Sequence, residues 1–129
     1  MSITSLQIHS VVKNDISKLR TGIGRYYYSS FLESRDFIIN NNIFLNGYNK
    51  KIMKSTSGRV HQETRLTFKN HPKFIKNNSG AKIAQSLNVL RKYRNIVDYD
   101  AQNPKNLKHV YNRCHMKAEK IFELLNELN

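Results

Sequence analysis

Arg94 and Asp98 stand one helical turn apart within "LRKYRNIVDYD", residues 90–100. A guanidinium is a planar fork of donors that binds phosphate oxygens in pairs. It can also stabilise the negative charge that develops as a phosphodiester is cleaved. Ile83, Leu87, Leu90, Arg94 and Val97 are separated by four, three, four and three residues. At roughly 100° per residue they share one narrow arc, with Arg94 near its centre. An unpaired cation among apolar side chains is costly, so Arg94 needs an acceptor. Asp98 could complete a structural salt bridge one turn away. Alternatively, the arginine lies at a groove or subunit interface, where phosphate is the acceptor. Spacing leaves both readings open.

The remaining chemistry is thinner. Histidines occur at positions 9, 61, 71, 109 and 115, and none pairs with carboxylates at a metal-binding spacing, so no metal or cofactor is expected. There is no Gly-rich phosphate loop. The lone Cys114 excludes an intramolecular disulfide, lacks a nucleophile pattern and fits a reducing cytosol. Between residues 42 and 58, Phe44 and Tyr48 alternate with Lys50, Lys51 and Lys54, rings for stacking beside cations for phosphates. A solvated surface loop accounts for the same pattern. Arg25 falls opposite the apolar face of its segment, available to a nucleic acid or simply to water.

Helices must position these groups. Ile16, Leu19, Ile23, Tyr27, Phe31 and Ile38 recur on one face between Asp15 and Asn41, joined by Ser30 and Ser34. Gly22 and Gly24 each cost about 1 kcal/mol against alanine in a helix, which suggests a bend or a close helix crossing near Tyr26. Residues 1–14 read as an arm or a separate short helix, and 42–58 as a long loop. A further helix is expected from Gly58 to Asn70, ended by His71-Pro72. "KFIKNNSG" then reads as a connector, and a helix from Ala81 to Tyr99 follows, with Ser79 as its N-cap. The last helix has Asn103 as cap, Pro104 at its first position, and an apolar stripe from Leu107 to Leu128. No strand pattern competes. One all-α domain over residues 1–129 is expected, an antiparallel bundle of four to five helices.

Bulk charge narrows the partner. Lys and Arg outnumber Asp and Glu by 22 to 9, a formal charge of +13, which favours a polyanion. No apolar run approaches the roughly 20 residues of a membrane span, and no secretory signal opens the chain. A cytoplasmic protein with no membrane partner is the expectation.

"GRYYYSSFLESRDFI", "VHQ", "LRKYRNIVDYD" and "MKAEKIFELL", in this order, resemble the HEPN superfamily. The likeness is nearest to its short bacterial members and runs from Asp15 to Leu128. It implies a helical bundle that commonly dimerises. Many such proteins are metal-independent endoribonucleases, acting as toxins of toxin–antitoxin pairs or in anti-phage defence. Their active motif joins an arginine, often followed by a polar residue, to a downstream histidine, and two copies form a composite site. Arg94 matches the arginine and Asn95 the polar residue, but Tyr99 stands where the histidine is expected. Tyrosine titrates near 10, a poor match for proton transfer at neutral pH. Asp98 would hold the arginine. His61 could supply the missing base, since the resembling proteins often carry a histidine where this helix begins. A helix N-terminus also favours its neutral form. Local packing or capping is the alternative role for His61.

The expected catalytic set is therefore Arg94, Asn95, Asp98, Tyr99 and His61. Arg91, Lys92, Arg25, Lys50, Lys51, Lys54 and Arg59 are the candidate RNA contacts. The resemblance implies RNA, a second copy, and a cognate antitoxin, nucleotidyltransferase-type protein or defence complex as partners. A catalytically degenerate module that only binds RNA or protein is the other expectation.

Overall fold

The computed structural model describes residues 5–76, 78–99 and 107–129, and every element among them is helical. The helices are α1 (Ser5–Asn40), α2 (Gly47–Met53), α3 (Val60–Asn70), α4 (Pro72–Ile75), α5 (Ser79–Tyr99) and α6 (Leu107–Leu128). Asn103 and Pro104, the expected start of the last helix, lie outside the described residues.

α1 is one unbroken helix of 36 residues, about 54 Å long at 1.5 Å per residue. The separate arm expected before Asp15 is not formed, because residues 5–14 continue the same helix. Its apolar face is the expected one. Ile23, Tyr27, Phe31 and Ile38 are buried, with Ser30 and Ser34 letting neighbouring helices approach closely. Gly22 marks a close approach between helices, since a Cβ there would run into the Tyr111 ring of α6. One turn later Tyr26 donates to the Tyr111 hydroxyl at 3.2 Å and meets His115 Nδ1 at 2.9 Å. Those bonds fasten α1 to α6.

The contacts fix the directions. Gly22 meets Tyr111 and Tyr26 meets His115, so α1 and α6 run the same way. Tyr27 meets His61 and Phe37 meets Phe68, so α3 is parallel to α1 as well. Arg94 lies over Tyr27, whereas Gly80, at the opposite end of α5, abuts Phe68. The antiparallel packing of the bundle is thus centred on α5, which opposes α1, α3 and α6.

Two short helices replace expected loops. Asn46 caps α2 by accepting from Asn49 N at 2.8 Å. The fully buried Asn49 accepts from Leu45 N at 3.0 Å and donates to Thr67 Oγ1 at 3.0 Å and Glu63 Oε1 at 3.2 Å. A single buried amide pins this segment to α3, and seven residues are too few to show a helical period. α4 begins at Pro72 with His71 as its cap, and it buries Phe74 against Phe68 at a ring separation of 4.8 Å. α5 starts at Ser79 itself rather than at Ala81, and the carbonyl of the preceding Asn78 accepts from Lys82 N at 3.1 Å.

Candidate functional site

His61 lies in the first turn of α3 and reaches across to α1, two helices that run side by side. Its ring stacks on Phe31 with centroids 4.0 Å apart and on Tyr27 at 5.6 Å. The Tyr27 hydroxyl and His61 Nδ1 form a hydrogen bond, which fixes the ring and leaves Nε2 as the nitrogen available to a ligand. Spacing along α1 explains the platform. Tyr27, Phe31 and Arg35 follow one another at four residues, one turn each.

Arg94 comes to this platform from α5. Its guanidinium carbon sits 5.3 Å from the Tyr27 ring centre, within cation–π range. Arg35 caps the other end, 5.9 Å from the Phe31 ring centre. The apolar arc of α5 buries Ile83, Leu87, Leu90 and Val97, but Arg94 itself is exposed. The guanidinium covers an aromatic face and still meets solvent. It is therefore not sealed inside the bundle. The side chains of Asp98 and Tyr99 lie outside the described residues.

Electrostatics make the imidazole unusual. Burial lowers the His61 pKa, and Arg91, Arg94, Arg65 and Arg35 lower it further. Burial also raises the Tyr27 pKa, with Arg91, Arg65 and Arg94 opposing. Burial and Arg91 lower that of Arg65. A neutral imidazole and a protonated phenol thus sit in the field of four guanidiniums, a setting that an arriving phosphate would neutralise.

This arrangement gives a pH signature. The folded His61 pKa is below its unfolded value, so the stability it contributes is complete above pH ~6.5. As pH falls below that value, the unfolded chain takes up a proton that the folded protein resists, and the contribution is lost. The urea midpoint should therefore drop between pH 7.5 and 5.5 by more in the wild type than in His61→Phe, which keeps a stacking ring without the titration. Equal drops would show that another group carries the effect, such as His71, whose pKa is also lowered by burial.

The other expected site residues are scattered. Arg91 is half-buried one turn before Arg94 and belongs to the cluster, whereas Lys92 and Asn95 are exposed on α5. Arg25 is exposed on α1. On α2, Lys50 and Lys54 lie over the Phe44 ring at 5.6 and 5.7 Å, and Lys51 is exposed. Arg59 donates to the Tyr48 hydroxyl at 2.9 Å. The Phe44 ring therefore already faces two of the chain's own lysines. Arg35 and Arg65 were not singled out in the sequence, and Phe31 was read only as part of an apolar face. Helical repeats could have found them, since Arg65 stands four residues after His61 and Arg35 four after Phe31.

Burial pushes the Cys114 thiol up to about 11, so it stays protonated in the core. Among the described residues, no three His, Cys, Asp or Glu side chains converge as a metal site. No described helix is long and apolar enough to cross a membrane.

No family model matches the chain, and no solved structure matches it. An uncharacterized protein of the archaeon Methanocaldococcus jannaschii is similar, 33% identical over 107 residues. The match covers 78% of this chain but only 61% of that protein, so the chain spans less than two thirds of its relative.

Proposed function

We propose that the protein is an RNA-acting member of the HEPN type and cleaves RNA by metal-independent acid–base chemistry. The observation that carries the reading is a neutral imidazole, anchored through Nδ1 by Tyr27, within the field of four arginines. In the tautomer whose Nδ1–H donates to the Tyr27 oxygen, Nε2 holds a free lone pair. It removes the proton from a ribose 2′-hydroxyl, and the 2′-oxygen bonds to the adjacent phosphorus. The bond from phosphorus to the 5′-oxygen breaks, and that oxygen takes a proton from water. The products are a 2′,3′-cyclic phosphate and a 5′-hydroxyl end. Arg94 binds the non-bridging oxygens and stabilises their growing charge. The formal charge of +13 attracts the polyanion. A homodimer and a role in a toxin–antitoxin or anti-phage system belong to the same proposal.

The purified protein, incubated with total cellular RNA in the presence of a chelator, is expected to generate 5′-hydroxyl ends. Arg94→Ala is expected to reduce the rate by about 100-fold or more. Cutting at equal rates by both folded proteins would sink the assignment. Tyr99 at the histidine position favours a second reading, a module that binds RNA without cutting it. Salt-sensitive binding with intact RNA would identify that case.

A further inference from the structure

A groove of about 370 Å³ runs between α3 and α5. Gln62, Arg65 and Lys69 line it from α3, and Ala84, Gln85 and Asn88 from α5. It exists because α5 presents alanine where a larger residue would fill the space between two antiparallel helices. Its volume lies within the range of small-ligand pockets, about 300–1,000 Å³.

The groove adjoins the cluster around His61 through a shared residue, Arg65. Gln62 is the next residue on α3, and Asn88 precedes Arg91 by three residues, less than one turn. Arg65 belongs to both places, lining the groove and acting on the imidazole. From these juxtapositions we infer that the groove holds one unpaired base of single-stranded RNA beside the phosphate bound at Arg94. The inference rests on the function proposed above and adds to it the residues that choose the base.

The lining fits that occupant. Gln62, Gln85 and Asn88 each offer an amide donor and an amide acceptor, the complement of a base edge. Ala84 supplies an apolar patch for a base face. Arg65 and Lys69 line the α3 side of the groove with positive charge, one turn apart, suited to phosphates of the strand that carries the base. A duplex would keep its base edges paired and out of reach, so the strand must be single.

The test uses the whole protein and a random-sequence RNA pool, with the cut ends sequenced. Wild type should show a base preference at one position beside the cut. Gln85→Leu and Asn88→Leu, both at exposed positions, should flatten that preference by about five- to tenfold. Binding of the four homo-oligonucleotides to His61→Ala provides a readout independent of cleavage. Discrimination among them that is lost in Gln85→Leu supports the groove even if no RNA is cut, and then only the catalytic reading fails. An unchanged preference in both variants, together with unchanged binding discrimination, overturns the groove as a base site. A fall from dimer to monomer mass without any change in preference also overturns it, showing that a second copy occupies the groove.

Discussion

Replacing His61 with alanine is expected to slow RNA cleavage by about 10²- to 10⁴-fold, the usual contribution of a positioned general base. The fold should survive, because the imidazole is only half-buried and the rest of α3 packs through Val60, Thr64, Thr67 and Phe68. Single-turnover rates with a short RNA near pH 7 read the chemical step directly. Arg94 and His61 meet on the same aromatic platform, so their contributions should not add. Arg94→Ala combined with His61→Ala should be little worse than the more damaging single change. The pH profile sharpens the assignment. With the His61 pKa below its ordinary value, activity should hold through neutrality and fall only in acid, as Nε2 becomes protonated. Undiminished cleavage by His61→Ala would place the chemistry elsewhere in the molecule.

The second large effect concerns Gly80, far along α5 from the site. A Cβ at this buried position would overlap the backbone carbonyl of Phe68 and the Cβ of Phe74. Neither atom lies at the free end of a flexible side chain, so the first turn of α5 would have to move away from α3 and α4. Overpacking of this kind costs about 1–3 kcal/mol. The helix-propensity gain of alanine over glycine, at most about 1 kcal/mol, recovers only part of it. Gly80→Ala should therefore lower the urea midpoint with an unchanged slope. Gly24→Ala is the matched control. It is also helical, yet a Cβ there meets nothing within 4 Å, so its midpoint should rise. A Gly80→Ala protein as stable as wild type would mean that the α3–α5 junction is looser than its geometry.

Much of the scaffold was readable from residue spacing. The apolar positions of α1 and α6 repeat over enough turns for the period to stand out, and the buried faces match them. Arg94 stood out because it interrupts such a repeat. α2 and α4 were hidden for the opposite reason. Each is too short for periodicity, and each is held by particular contacts, Asn49 to Thr67 and Phe74 to Phe68. The partnership of His61 with Tyr27 could not be read at all. It joins residues 34 apart across two parallel helices, and spacing within one helix carries no information about its neighbour. Arg35, Arg65 and Arg91 each lie a turn from a residue of the cluster, but their convergence needs all three helices in place.

The shared direction of α1 and α3 has a consequence for how the chain can vary. After α1 ends, residues 41–59 carry the backbone back up the bundle before His61 can descend beside Tyr27. Extra residues in the exposed turn at Lys54–Gly58 would lengthen this return strap without moving the imidazole. One residue inserted between His61 and Phe68 would instead rotate one of them by about 100°, so either the stacked ring or the core anchor would be lost. Drift in length should therefore be tolerated by the strap and forbidden to the short rod it delivers.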